Sequence, residues 1–168
     1  LDGAIQKLVH FADSHPEAGA VGGTMLSKNR IIDPLCFRKR FDAVTAWQEY
    51  LFLHKKGGKV DVQKLEKREV DVLVGAYMMV RSEVIKQIGG LDELFFLSAE
   101  DLDWCLRIRK AGWKIYYYPQ SVIIHYGSTS FKRSWDRGII TAYHSKELLF
   151  QNSEKKDRAD ELVIADKE

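Results

Sequence analysis

Three carboxylates, Glu100, Asp101 and Asp103, fall within four consecutive positions of the run Leu97-Ser98-Ala99-Glu100-Asp101-Leu102-Asp103-Trp104-Cys105-Leu106-Arg107. An amphipathic pattern follows at once, so the acids open a helix, where free backbone N–H groups and the dipole stabilise negative charge. A structural helix start needs one cap, and three acids there repel one another. The surplus suggests a site that handles a proton, a cation or a polyhydroxylated ligand. Asp101-Leu102-Asp103 spells Asp-x-Asp, but residues two apart on a helix point about 200° apart and do not converge readily on one ion. Asp103 is instead placed to pair with Arg107 at i,i+4, which on a surface is worth only a few tenths of a kcal/mol.

Other residues could join such chemistry. His125 ends a strand, where it serves as a metal ligand or a structural residue. One histidine cannot hold Mg²⁺ or Mn²⁺, which want mainly oxygen ligands. Gly75 and Ala76 lie in an apolar strand, where small residues admit a sugar to the backbone or allow close strand–helix packing. Trp104 could stack on a sugar face or belong to the core. Phe95 and Phe96 read as core or pocket wall. Lys132 and Arg133 could meet a diphosphate, or be solvated surface.

These residues need a frame. Ile5, Leu8, Val9 and Ala12 have helical spacing, and the helix should end near Ser14-His15-Pro16. Gly19 to Leu26 reads as a short buried strand, Val70 to Arg81 as a central strand. Ser82 should cap a helix from Glu83 to Ile88 that stops at Gly89-Gly90. Ser98 should cap the acidic helix, Ala99 to Ala111, with Leu102, Cys105, Leu106 and Arg109 on one stripe and Trp104, Ile108 and Ala111 on another. Trp113 to Tyr118 is predicted as a strand, Pro119-Gln120 as a turn, and Val122 to His125 as another strand. Residues 41–52 and 139–150 have helical character, and the region from Arg38 to Glu69 suits an insertion or lid. Alternation of strands and helices makes the class α/β.

Bulk properties narrow the functions. The 168 residues are 45% hydrophobic and 30% charged, as one globular domain or a large piece of one requires. The 26 basic and 24 acidic residues nearly balance at +2, so charge offers no argument for a nucleic-acid partner. Cys36 and Cys105 form no Cys-x-x-Cys pair, which leaves zinc ribbons and dithiol redox sites without support. Free buried thiols suit a reducing compartment. The longest apolar run, Val72 to Val80, is too short to span a bilayer.

Five segments, in order, resemble one family: Val74-Gly75-Ala76-Tyr77-Met78-Met79-Val80-Arg81; Ile88-Gly89-Gly90-Leu91-Asp92-Glu93-Leu94-Phe95-Phe96; Glu100-Asp101-Leu102-Asp103-Trp104-Cys105-Leu106-Arg107; Gly112-Trp113-Lys114-Ile115-Tyr116-Tyr117-Tyr118-Pro119; and His125-Tyr126-Gly127-Ser128-Thr129-Ser130. Their order and spacing resemble the C-terminal half of family-two glycosyltransferases, especially bacterial rhamnosyltransferase-like members. The resemblance implies a partial GT-A fold, an α/β sandwich with a mixed sheet and flanking helices. It assigns residues 1–150 to the acceptor side of the domain and leaves 151–168 as a charged tail. The family's nucleotide-binding half, which ends in a metal-holding Asp-x-Asp, is expected upstream of a chain that opens Leu1-Asp2-Gly3, as a fragment would.

By resemblance, the second residue of the Glu-Asp pair, Asp101, is the catalytic base. Glu100, Gly75, Ala76 and Trp104 are candidates for binding the acceptor, and His125 for the metal, Mn²⁺ or Mg²⁺. The implied partners are a nucleotide-sugar donor and a saccharide or lipid-linked acceptor in cell-envelope polysaccharide synthesis. The setting is cytoplasmic, with room for peripheral contact at the inner face of the membrane and for a homodimer. The rival reading is a non-catalytic carbohydrate-binding or scaffolding domain. A metal-dependent hydrolase built on Glu100, Asp101 and Asp103 meets the helix-geometry objection above.

Overall fold

The computed structural model describes residues 3–33, 36–38, 61–95 and 99–126. Helix α1 (Ala4–Ser14) leads into β1 (Ala18–Leu26), all nine of whose residues are buried. The short strands β2 (Phe37–Arg38), β3 (Arg68–Glu69), β4 (Val72–Leu73) and β5 (Met78–Val80) follow. Helices α2 (Ser82–Ile88) and α3 (Glu100–Lys110) precede the long strand β6 (Lys114–Ile124).

The main sheet has the order β3-β6-β1-β5, and β2 pairs with β4 separately. β1 runs parallel to β6 and antiparallel to β5, while β3 is antiparallel to β6. Strand β1 is thus interior, which explains its unbroken apolar character. Successive residues face opposite sides. On one side Val21 packs with Leu8 and Phe11 of α1; on the other Ala20 packs in the cluster that holds Leu102, Cys105 and Ile108 of α3. The result is a mixed sheet between helices, the α/β class expected.

Four expectations are corrected. The stretch Val70 to Arg81 is not one central strand. It breaks into β4 in the small sheet, a 3-10 turn at Gly75–Tyr77, and β5 at the edge of the main sheet. Gly75 and Ala76 therefore occupy a turn. Apolar composition reported burial there, and burial does not require a continuous ladder.

The two strands expected around Pro119 are one. Gly22 pairs with Tyr117 and Thr24 with Val122, so four residues of β6 bulge opposite Gly23. A bulge tolerates a proline that has no N–H to give the ladder. Gly23 is required here, because a Cβ on it would strike the Ser121 carbonyl and the Tyr77 ring. Buried hydroxyls bind the bulge: Thr24 Oγ1 donates to the Pro119 carbonyl at 3.0 Å and accepts from the Tyr117 hydroxyl at 2.6 Å.

The serine cap expected before α2 is absent. Arg81 holds the N-cap position, and the Ser82 hydroxyl donates to Glu83 instead. The Arg81 guanidinium donates to the carbonyls of Ala12 at 2.7 Å and Ala18 at 3.0 Å, tying this helix start to the end of α1. Helix α3 has left-handed Ala99 (φ 72°) at its N-cap, with no side-chain cap bond.

The two apolar stripes assigned to the acidic helix also need revision. Leu102, Asp103, Cys105 and Ile108 are buried, Trp104 and Leu106 are half-buried, and Arg109 is exposed and paired with Asp71 at 3.1 Å. The i, i+3, i+6 row of Leu102, Cys105 and Ile108 faces the sheet, and Asp103 is buried beside it, paired with Arg107. Residues 41–52, 139–150 and 151–168, with Phe96, Ser98, Lys132 and Arg133, lie outside the described residues. Among the described residues, no helix is long and apolar enough to cross a membrane.

Candidate active site

The chain direction decides where the acids lie. The C-terminal turn of α3 meets the start of the parallel strands: Gly19 of β1 abuts Ile108 and Trp113, and Lys114 N–H bonds to the Glu17 carbonyl. An 11-residue helix is roughly 16 Å long. Its acidic N-terminus therefore lies toward the carboxyl ends of β1 and β6, the end at which open α/β sheets gather ligands.

There the Asp101 carboxylate is held by two backbone donors. Its Oδ2 accepts from Gly75 N–H at 2.9 Å, and its Oδ1 accepts from Leu102 N–H at 2.8 Å. The second bond satisfies a donor of the first helical turn that a capping serine would otherwise take. Asp101 is partly exposed, so its remaining acceptor directions can meet a ligand.

Glu100, next to it, is half-buried, and its Oε2 is shielded from solvent with no hydrogen-bond partner among the described residues. A carboxylate oxygen shielded in this way has an acceptor direction that no described residue fills. Ala76 is exposed beside Gly75.

The third acid does something different. Asp103 Oδ2 accepts from Arg107 Nε at 2.7 Å, and the same guanidinium donates to the Ile88 carbonyl at 2.9 Å and the Gly90 carbonyl at 2.8 Å. Trp104 Nε1 donates to the Gly89 carbonyl at 3.0 Å, and its ring packs against the main core. Asp103, Trp104 and Arg107 thus fasten α3 to the end of α2.

His125 follows β6 directly, its N–H bonded to the Leu26 carbonyl at 2.8 Å, so its half-buried side chain lies at the same carboxyl end of the sheet. It can offer one imidazole nitrogen. The described residues contain no group of three or more His, Cys, Asp or Glu that could hold an ion. By themselves they do not compose an Mg²⁺ or Mn²⁺ centre.

Both cysteines are buried. Cys36 accepts from Met25 N–H at 3.2 Å, and burial pushes its thiol up to about 11. Such a thiol is not a nucleophile near neutrality.

A glycosyltransferase family-2-like model matches residues 1–143. The chain belongs to that family. The family-2-like chain is 34% identical over 83 residues to the N-acetylglucosaminyl-diphospho-decaprenol L-rhamnosyltransferase of Mycobacterium tuberculosis, a stretch that covers 49% of this chain and 27% of the relative. It is 39% identical over 57 residues to the rhamnosyltransferase WbbL of Escherichia coli, 34% of this chain and 22% of that one. Similarity to the pre-mycofactocin glycosyltransferase of M. tuberculosis is 32% over 78 residues, 46% and 16% of the two chains. The chain therefore covers well under two thirds of the length of each of these relatives.

Sequence reasoning missed two parts of this family-2-like site. One is the contact of the Gly75 turn with Asp101, which joins positions 26 residues apart. The other is the triple role of Arg107. Only its i,i+4 partner was visible, because the carbonyls of Ile88 and Gly90 become targets once α2 has stopped.

Proposed function

We propose that this chain forms the acceptor side of an inverting glycosyltransferase with Asp101 as its base. The observation that carries the reading is the Asp101 carboxylate, oriented by Gly75 N–H at 2.9 Å near the carboxyl end of the parallel strands. The acceptor hydroxyl gives its proton to this carboxylate as its oxygen bonds to the anomeric carbon. The bond from that carbon to the diphosphate oxygen breaks, and its electron pair leaves with the nucleoside diphosphate. Attack opposite the leaving group inverts the configuration. Glu100, whose Oε2 has no hydrogen-bond partner among the described residues, accepts a hydrogen bond from the acceptor sugar.

A divalent cation, Mn²⁺ or Mg²⁺, supplies charge neutralisation at the departing diphosphate when bound. His125 is the described residue assigned to it, with oxygen ligands drawn from the diphosphate and from outside the described residues. The names of the relatives suggest the substrate class: an L-rhamnosyl donor and a saccharide on a polyprenyl diphosphate. Work on such an acceptor places the enzyme in cell-envelope polysaccharide synthesis, in the cytoplasm at the inner face of the membrane.

Asp101→Asn in the full-length enzyme tests this. The side chain keeps its size and loses its basicity, so transfer should fall on the order of 100-fold or more while donor binding is retained. Near-normal turnover would remove Asp101 from the mechanism and favour a carbohydrate-binding role for the acidic helix.

A further inference from the structure

We propose that Gly75 is a positioning residue for Asp101, and that its backbone N–H, with the space left by its missing side chain, sets where the carboxylate points. The inference rests on Asp101 being the base, and it departs from the expectation that Gly75 contacts the acceptor directly.

Three observations lead to it. First, Gly75 is outside the left-handed region that requires glycine; Gly3, Gly89 and Gly112 are the described glycines with positive φ. The backbone of the turn would accept another residue. Second, the three nearest atoms that a Cβ on Gly75 would meet among the described residues, its chain neighbours aside, all belong to Asp101: its Cβ at 3.3 Å, its Oδ2 at 3.8 Å and its Cγ at 4.0 Å. The space that glycine leaves is therefore filled by the carboxylate side chain. Third, the turn that presents the N–H is itself anchored. Tyr77 N–H bonds to the Val74 carbonyl at 3.1 Å, and the Tyr77 hydroxyl donates to Ser121 Oγ, which in turn donates to the Ala4 carbonyl at 2.7 Å. Burial raises the Tyr77 hydroxyl above its ordinary titration range, which keeps it a donor.

With Oδ2 fixed by Gly75 and Oδ1 by Leu102, rotation of the carboxylate about its Cβ–Cγ bond is restrained at both oxygens. Each oxygen still has a second acceptor direction for the incoming hydroxyl. Geometry of this kind is worth much in rate, since small misplacements of a reacting group cost large factors.

Two substitutions separate the N–H from the added bulk. Gly75→Ala adds a Cβ and keeps the donor. Gly75→Pro adds a Cβ and removes it. Proline suits this place, because Val74 before it is extended (φ −79°, ψ 132°) and Gly75 is the first residue of a 3-10 turn. The assay uses the full-length enzyme, a nucleoside-diphospho-L-rhamnose and N-acetylglucosaminyl-diphospho-decaprenol. Gly75→Pro should lower kcat about tenfold or more below Gly75→Ala, with acceptor KM within about twofold for both. Equal kcat values, or a rise in acceptor KM as the main effect, overturn the proposal; the second result makes Gly75 an acceptor contact.

Amide hydrogen exchange gives a readout that needs neither turnover nor the proline variant. In Asp101→Ala the Gly75 amide should lose protection by about tenfold or more, and unchanged protection overturns the proposal as well. Failure of the base assignment is seen separately, as activity that survives in Asp101→Asn.

Discussion

Asp103 and Arg107 meet at 2.7 Å one turn apart on α3, with side chains only 11% and 18% exposed. At that burial the pair is more than the surface ion pair its spacing suggests. The carboxylate neutralises a guanidinium that two carbonyls at the end of α2 also need.

Arg107→Ala should therefore destabilise the fold by roughly 3 kcal/mol, since it strands a buried carboxylate. Arg107→Lys should recover only part of this, because an ammonium cannot reach all three acceptors in one plane. Urea unfolding of both variants checks this. Asp103→Asn should act mainly on stability, in contrast to Asp101→Asn, whose effect should fall on turnover. An Asp103→Asn enzyme of full stability and no activity would contradict the division of labour among the three acids.

The acidic run was conspicuous in the sequence, but the contacts that hold its members were legible only in part. Composition located the helix, and its period set Leu102 with Cys105 but put Ile108 on a separate stripe, because it did not show which face meets the sheet. The i,i+4 spacing already paired Asp103 with Arg107; what stayed hidden was tertiary, the contact of Asp101 with Gly75 and the burial of the Asp103–Arg107 pair. The breaks in the fold were hidden for the same reason. Composition does not reveal that Val70 to Arg81 divides between two sheets, since its apolar residues continue on both sides of the exposed turn at Gly75 and Ala76. Pro119 read as a turn because the compensating bulge depends on β1, far away in sequence.

His125→Ala in the full-length enzyme should raise the Mn²⁺ concentration needed for half-maximal rate and lower activity together. A Mn²⁺ titration curve that does not move would make His125 a strand-end residue with no part in metal binding.

Stability should decline in alkali through Cys36. Its thiol is held at about 11 in the fold, against 9.0 ordinarily, with desolvation the main cause. Above pH 9 the unfolded chain releases a proton that the folded chain keeps, so stability is full below that pH and falls as pH rises toward 11. Tyr77 and Tyr117 are raised by burial in the same sense. Through these groups, unfolding midpoints should stay level from pH 7 to about 9 and slope downward from there to about 10.5, and Cys36→Ala should flatten that slope. An identical slope in that variant would assign the loss to the tyrosines.

The 168 residues alone should bind nucleotide sugars more weakly than the micromolar range, if they serve the acceptor side. Isothermal titration with a nucleoside-diphospho-rhamnose and Mn²⁺ measures this directly. Micromolar binding would place the donor site within this chain and overturn the assignment of residues 1–150.

The pairing of β1 with β6 joins Ala18 to Lys114 and Leu26 to Ile124. On a ribosome, β1 emerges long before its interior neighbour exists. All nine of its residues end up buried, and during synthesis α1, the short edge strand β5 and α3 are made before β6 and must shelter them without it. Parallel pairing over such a span is slow to form. Nascent chains that stop short of β6 should therefore hold an unpaired apolar strand, a template for self-association and a target for chaperones. Strand β6 follows α3 in the chain, so the acidic helix can be set over the carboxyl ends of β1 and β6 only once β6 has been made.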